Sequence, residues 1–258
     1  MKISFIGTGT SQGIPVIGCG CAVCHSDDPK DKRLRTSVSI DVGSRRLIID
    51  CGPDFRQQML REQIKSLDAI LITHGHKDHT GGLDDIRAFN YMLRKTIPIY
   101  CTENVEKTIR LEFDYAFREN KYPGVPEINI HNFDMEPFLI QGIEVIPFQA
   151  NHYRQEMVFG FRIGDFCYLT DAMAISPEEK QKMAGSKVIV VNALRNEKHY
   201  SHFNLQEAVA LLEELKPEHG YLTHISHQMG LYEEVGKELP EFIKLAYDGL
   251  KVEIENRK

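Results

Sequence analysis

The 258-residue sequence lacks any apolar run that approaches the ~20 residues needed to cross a membrane as a helix. Its first residues also lack the long apolar stretch and small-residue cleavage site of a secretory signal peptide. We therefore expect a cytoplasmic protein with no membrane partner. The sequence has no linker, low-complexity tract or block of like charges, which predicts a single domain over residues 1–258.

An excess of basic residues is also missing, because the formal net charge is −6. A protein that binds duplex nucleic acid normally presents a basic face, so this charge argues against nucleic acid as the main partner, although a local basic groove would be compatible with it. The glycine-rich loop at 7–13 lacks the Gly-Lys-Ser/Thr ending of a phosphate-binding P-loop. The composition, with 42% hydrophobic and 26% charged residues, predicts an ordinary globular protein.

What the sequence does contain is a dense group of metal-binding side chains. The segment Ile70-Leu-Ile-Thr-His74-Gly-His76-Lys-Asp78-His79 places four potential ligands within six positions, directly after an apolar run that predicts a buried strand. Neutral imidazoles suit zinc, iron or manganese, and a carboxylate completes the shell or bridges two ions. A polar turn with surface histidines is the alternative, but it needs no such density, so the pattern predicts a metal site.

A second group of ligands lies near the N-terminus. Cys19, Cys21 and Cys24 form Cys-x-Cys-x-x-Cys beside His25. Three thiolates suit a tetrahedral zinc site, and the flanking glycines let the loop wrap an ion. A reduced loop without metal and a redox-active Cys-x-x-Cys are the alternatives. The remaining cysteines stand among apolar neighbours and are predicted to be core residues: Cys51, Cys101 and Cys167.

The hydrophobic pattern predicts blocks of strands with helices between them, typical of two mixed sheets flanked by helices. Predicted strands cover 3–6, 37–42, 46–50, 69–73, 138–149, 157–163, 166–170, 187–192, 220–223 and 250–254. Predicted helices cover 54–63, 83–95, 103–119, 177–185 and 232–248, and a further helix begins at Asn204.

The segment at about 84–135 carries no motif that assigns it a role. Its aromatic residues leave three options open, namely a lid, the surface of a homodimer, or ordinary core packing. These residues are Phe113, Tyr115, Phe117, Tyr122 and Phe133.

Together these residues resemble the metallo-β-lactamase superfamily. After the first motif come His152, Asp171 in Tyr-Leu-Thr-Asp, and His224, each at a predicted strand end and in the family's order. Taken singly, each could be a loop, turn or core residue. The resemblance implies an α/β fold of the αββα sandwich type and a dinuclear site. It implies one divalent ion held by His74, His76 and His152, and a second held by Asp78, His79 and His224, with Asp171 bridging both. Asp50 matches the family's aspartate that orients a ligand histidine.

A narrower resemblance is to the PhnP-type phosphodiesterases. It lies in Gly7-Thr-Gly-Thr-Ser and in Gly18-Cys19-Gly-Cys21-Ala-Val-Cys24. In that group the three cysteines and a C-terminal histidine hold a structural zinc, which implies His227 as the fourth ligand, with His25 as the local alternative. The group also has a catalytic histidine 22 positions before the last metal ligand. That position is His202, and His199 is a competitor.

The resemblance implies a phosphodiesterase that uses two active-site zinc or manganese ions and cleaves a small substrate, such as a ribosyl or nucleoside cyclic phosphate. It implies that Asp78 helps to hold the metals and the attacking water, and that His202 donates a proton. Arg154, Arg162 and Arg195 are candidates for a phosphate clamp or simple surface residues. The alternatives are a tRNA 3′-end processing-like RNA endonuclease, whose RNA-gripping arm the sequence lacks, and a non-catalytic metal-stapled binding protein.

Overall fold

The structure, a computed structural model, describes residues 1–255 and contains two seven-stranded sheets. In spatial order the first sheet consists of β14 (Lys251–Glu253), β1 (Lys2–Gly7), β2 (Ser37–Val42), β3 (Arg45–Ile49), β4 (Ala69–Leu71), β5 (Ile97–Cys101) and β6 (Ile128–Asn132). The second consists of β13 (Ile243–Leu245), β12 (His219–Thr223), β11 (Val188–Asn192), β10 (Phe166–Tyr168), β9 (Glu156–Ile163), β8 (Ile143–Tyr153) and β7 (Phe138–Ile140). Both sheets mix parallel and antiparallel pairs.

Helices cover the outer faces of both sheets. Those on the first sheet are α2 (Phe55–Arg61), α4 (Arg87–Leu93) and α5 (Glu103–Glu112). Those on the second are α6 (Pro177–Met183), α7 (Leu205–Leu215) and α8 (Tyr232–Glu238). The loops contain α1 (Ala22–His25), α3 (Lys77–Thr80) and the 3-10 turns Pro29–Asp31, Leu83–Ile86 and Asp114–Ala116. Within residues 1–255, no helix combines the length and apolar character needed to cross a membrane.

The apolar core has three layers, which explains why several strands are apolar on both faces. Phe5 of the first sheet and Phe161 of the second belong to one buried cluster between the sheets. Two further clusters lie between each sheet and its helices. Strands buried on both faces appear in sequence as continuous apolar runs, as in β11, where every residue is buried. The predicted αββα sandwich is therefore confirmed.

Three predicted elements were wrong in extent. The helix predicted at 103–119 ends at Glu112 and is followed by the 3-10 turn Asp114–Ala116. The single strand predicted at 138–149 is a hairpin, because the chain turns between β7 and β8 at Gln141 and Gly142, with φ of 49° and 87°. Apolar residues on both sides of this tight turn made the two strands look like one run. The helix predicted at 232–248 ends at Glu238, and the chain then forms β13. Pro240 explains this ending, since proline has no N–H to continue a helix.

The segment at 84–135 contains two strands, β5 and β6, that the sequence analysis did not identify. Both extend the first sheet in parallel pairing beyond β4. Phe113 and Phe133 are buried in the core, whereas Tyr122 is exposed. Core packing therefore accounts for part of the aromatic content of this segment.

Candidate metal centre

Five strand ends meet at one edge of the sandwich and deliver the polar side chains of the site. His74, His76, Asp78 and His79 follow β4, and His152 lies near the end of β8. Asp50 directly follows β3, Asp171 follows β10, and His224 directly follows β12. Because β3 and β4 are parallel, as are β10, β11 and β12, their carboxyl ends lie at the same edge. The structure thus brings together residues that are up to 174 positions apart in sequence (224 − 50).

The side chains form two neighbouring groups. One ligand atom from each of His74, His76 and His152 lies within 4.8 Å of the others. The same limit encloses Asp78, His79, Asp171 and His224. Each group joins residues from both sheets.

Asp171 lies between the two groups. Its Oδ2 is 3.8 Å from Nε2 of His74 in the first group. Its Oδ1 is 3.4 Å from Nε2 of His79 and 3.1 Å from Nδ1 of His224, both in the second group. A carboxylate with one oxygen turned toward each group has the arrangement that a bridging ligand requires.

Three imidazoles each have one free, buried nitrogen. Nε2 of His74, Nε2 of His79 and Nδ1 of His224 find no hydrogen-bond partner among residues 1–255. The other ring nitrogen of each is hydrogen-bonded, at 3.0 Å to Thr73 Oγ1, 2.6 Å to Asp50 Oδ2 and 3.1 Å to Thr10 Oγ1, respectively. Buried polar atoms are rarely left without a partner, so free nitrogens facing carboxylates fit a site for metal ions.

The backbone at the site adopts a conformation that most residues avoid. Asp50, Asp171 and His224 have φ of 65°, 61° and 54°, in the left-handed region. Such residues are uncommon outside glycine, and Asp, Asn and His are the types that tolerate it best. Asp50, Asp171 and His224 each lie just after a strand, so the chain turns sharply there and directs the side chain toward the other polar residues of the site.

The electrostatics of the cluster favour positive charge at its centre. Burial raises the pKa of the Asp171 carboxyl, but the neighbouring imidazoles outweigh it and hold that pKa well below the usual range. Burial lowers the pKa of His79, yet the surrounding carboxylates outweigh it and raise that pKa well above its ordinary value. For His224 burial prevails and lowers the pKa to about 4. The centre therefore combines ionised carboxylates with a cationic His79 and a neutral His224. Positive charge is favoured among these carboxylates, and a divalent cation would supply it in place of the proton on His79.

His202 lies at the rim of the cluster, and His199 lies behind it. Nε2 of His202 is 3.2 Å from Oδ2 of Asp171. Its Nδ1 is 2.8 Å from Oγ of Ser201 and 3.2 Å from Nδ1 of His199. Of the two candidate catalytic histidines, His202 is the one in contact with the cluster.

The cysteine loop meets the C-terminal part of the chain. Sγ of Cys19, Cys21 and Cys24 lies 3.2, 3.4 and 3.7 Å from Nδ1 of His227. His25, the local alternative, is exposed, and its Nδ1 lies beside the carbonyl oxygen of Cys21. A backbone hydrogen bond from Cys24 is the largest of the effects that lower the pKa of Cys21 to about 6. The four side chains have the composition of a structural zinc site. The other cysteines are buried in the core, as predicted: Cys51, Cys101 and Cys167.

A cavity of about 700 Å³ opens onto the cluster. Of the three arginines considered for a phosphate clamp, Arg195 lines this cavity, where it donates to Oε1 of Gln228 at 2.8 Å. Arg154 instead stacks over the ring of Tyr153, and Arg162 donates to backbone carbonyls of Lys182 and Ala184.

Two contacts of the candidate ligand histidines were not predicted from the sequence. Thr10 contacts His224, and Oε1 of Glu156 lies 3.0 Å from Nε2 of His76. The only signal near Thr10 is the glycine-rich loop at 7–13, which resembles the N-terminus of the PhnP-type enzymes but assigns Thr10 no role. No periodic pattern in the sequence marks Glu156.

Comparisons with known proteins agree with this geometry. Residues 45–225 match the family described as the beta-lactamase superfamily domain. The structure is similar to that of a diphosphatase from the PhnP family, with a TM-score of 0.92 and 39% identity, over 99% of this chain and 98% of that one. It also resembles Zn²⁺-bound PqqB from Methylobacterium extorquens, with a TM-score of 0.82 over 98% of this chain and all of that one. Identity there is 18%, so that likeness concerns the fold alone.

A curated relative differs in length. The octanoyltransferase of Porphyromonas gingivalis is 39% identical over 261 residues, an alignment that covers all of this chain. The chain spans about half of that protein, 52% of its length.

Proposed function

This chain belongs to the metallo-β-lactamase superfamily as a PhnP-type hydrolase, and from that membership we propose that it hydrolyses a small phosphodiester at a dinuclear metal centre. The observation that carries the proposal is the position of Asp171, whose two oxygens face two separate groups of histidines. A non-catalytic binding protein that uses metal only for stability would not need a carboxylate shared between two metal sites beside an open cavity.

The fold family implies divalent metal binding, and the free nitrogens of the cluster fit it. One ion, zinc or manganese, would be held by His74, His76 and His152. The second would be held by Asp78, His79 and His224, with Asp171 shared between them. When bound, such ions supply Lewis acidity that lowers the pKa of water and neutralises phosphoryl oxygens.

The chain's own residues bind the substrate and donate the proton that the leaving oxygen requires. Arg195 lies in the cavity wall and offers a guanidinium to the anionic phosphate, held in place by Gln228. Water attacks phosphorus and releases one proton to the solvent, the bond from phosphorus to the leaving oxygen breaks, and that oxygen takes the proton from Nε2 of His202. The solvent then returns a proton to His202, so the ring is unchanged over one turnover. Ser201 and His199 contact the opposite nitrogen of His202 and fix its ring.

The substrate class follows from the cavity and from the relatives. A cavity of about 700 Å³ is of the size that encloses a small ligand. We propose a ribosyl or nucleoside cyclic phosphate, and the PhnP-family neighbour, named a diphosphatase, adds diphosphate esters as compounds to test. This chain matches only half of the octanoyltransferase, so the name of that protein indicates no substrate for this chain.

Four further properties of the chain stay predictions. They are the single domain over 1–258, the cytoplasmic location, the option of a homodimer, and zinc in the cluster formed by Cys19, Cys21, Cys24 and His227.

The test compares metal-replete and chelated protein. We expect turnover of bis-p-nitrophenyl phosphate and of a nucleoside 2′,3′-cyclic phosphate, lost on chelation and restored by zinc or manganese. Asp171→Asn is the matched variant, because asparagine tolerates the φ of 61° at this position and keeps the side-chain size. It should fold normally and lose turnover. Faster cleavage of a precursor tRNA would favour the RNA endonuclease, and absence of any turnover would favour the binding protein.

A further inference from the structure

The glycine-rich loop after β1 contacts the metal centre through Thr10. Thr10 is buried, with 8% of its surface exposed, and its Oγ1 lies 3.1 Å from Nε2 of His224. We propose that Thr10 is a positioning residue that holds His224 in one ring orientation and one tautomer, with Nε2–H donating to the hydroxyl and Nδ1 free to bind metal. This inference rests on the proposed dinuclear centre.

Backbone hydrogen bonds fix the loop against the segment that carries His224. The Thr10 N–H donates to the carbonyl of Ile225 at 3.0 Å, and the Ile225 N–H donates to the carbonyl of Thr8 at 2.9 Å. Gly9 lets the same loop also lie close to the segment at 33–35, because a Cβ there would lie 2.9 Å from Cβ of Arg33. The hydroxyl of Thr10 is therefore placed beside His224 by the main chain, and its β-branched side chain has few rotamers available.

The tautomer matters because of Nδ1, the other nitrogen of the His224 ring. Nδ1 faces Oδ1 of Asp171 at 3.1 Å and has no hydrogen-bond partner within residues 1–255. A metal ligand must offer a lone pair, so a proton on Nδ1 would block binding there. If Nε2 donates to Thr10, Nδ1 carries the lone pair.

The two neighbouring imidazoles have the same arrangement. His74 is held at Nδ1 by Thr73, and His79 is held at Nδ1 by Asp50, and each leaves its Nε2 free. Thr10 orients the ring of His224 as Thr73 and Asp50 orient the rings of His74 and His79. Unlike them, it lies 214 positions from its histidine in sequence. Loss of such an outer partner typically weakens metal affinity by about 10- to 100-fold.

The first experiment measures metal affinity by competition with a chromophoric chelator. We expect Thr10→Val to weaken the binding of one active-site ion by about 10- to 100-fold, and Thr10→Ser, which keeps the hydroxyl, to restore most of that affinity. Thr8→Val is the matched control. Thr8 lies in the same loop and is fully buried, but its hydroxyl donates to Asp248 at 2.7 Å and accepts from Nη1 of Arg33 at 2.8 Å. That control should lower the melting temperature and leave metal affinity unchanged.

The second measurement needs no variant. Nitrogen-15 NMR of the metal-free wild-type protein should show the His224 proton on Nε2. A proton on Nδ1, unchanged affinity in Thr10→Val, or an equal loss of affinity in Thr8→Val would each overturn the inference. The readouts are independent of turnover, so wild-type protein that binds two ions yet cleaves no phosphodiester would refute the proposed function and leave the role of Thr10 standing.

Discussion

The Nδ1 atom of His79 lies 2.6 Å from Oδ2 of Asp50, and both side chains are fully buried. Asp50 also accepts hydrogen bonds from the N–H and the hydroxyl of Thr73, at 2.9 and 3.0 Å to Oδ1. The carboxylate of Asp50 thus orients the His79 ring and also holds Thr73, the residue before His74, in place. Its position just after β3 makes it a link between the sheet and the metal centre.

Asp50→Asn should therefore weaken metal binding without a change of fold. Asparagine tolerates the φ of 65° at this position, but one arm of its amide donates and cannot accept from Nδ1. We expect about 10- to 100-fold lower affinity for one active-site ion, measured by chelator competition. Asp41→Asn is the control, because Asp41 pairs with Arg46 on the first sheet, away from the cluster. Equal affinity in Asp50→Asn and wild type would contradict the role of Asp50.

The sequence indicated which polar side chains would gather at one edge, because each lies at or just after a strand end and four of them fall within six positions, 74–79. His152, Asp171 and His224 required the order of a known family, since none of them carries a local pattern of its own. Thr10 and Glu156 were missed for a different reason. Their contacts with the candidate ligands His224 and His76 depend on how distant loops pack, and loop packing leaves no periodic signal. The strands β5 and β6 were missed because the segment around them has no motif that marks its boundaries.

The cysteine cluster predicts a third metal ion per chain. Cys21→Ser should lower the metal content by one equivalent and leave phosphodiester hydrolysis measurable, because the cluster is separate from the two active-site groups. Mass spectrometry after iodoacetamide treatment should show Cys19, Cys21 and Cys24 protected in metal-replete protein and alkylated after chelation. Cys101→Ala is the control, since Cys101 lies in the core and should not affect metal content. A full metal complement in Cys21→Ser would show that the cluster holds no ion.

Arg195 and Arg162 give opposite predictions for substrate binding. Arg195→Ala should raise KM for a nucleoside cyclic phosphate by about 10-fold or more, because a hydrogen bond to a charged group contributes roughly 1.5–3 kcal/mol. Arg162→Ala should leave KM unchanged, because the Arg162 guanidinium is engaged by backbone carbonyls at the end of α6. Steady-state kinetics of the two variants checks this directly. Similar KM values in Arg195→Ala and wild type would remove Arg195 from the binding site.

The choice between His202 and His199 as the proton donor can be made with leaving groups of different basicity. An alkoxide leaves slowly unless it is protonated, whereas p-nitrophenolate needs no proton to leave. His202→Ala should therefore lower kcat for a nucleoside cyclic phosphate by about 100- to 10,000-fold and have a much smaller effect on bis-p-nitrophenyl phosphate. His199→Ala should lower kcat less than His202→Ala with the cyclic phosphate and only slightly with bis-p-nitrophenyl phosphate, because His199 contacts Nδ1 of His202 and lies behind it relative to Asp171. Equal losses of kcat on both substrates in His202→Ala would mean that this ring holds the metal centre or the phosphate and does not deliver the proton. A larger, leaving-group-dependent loss in His199→Ala would transfer the role of donor to that residue.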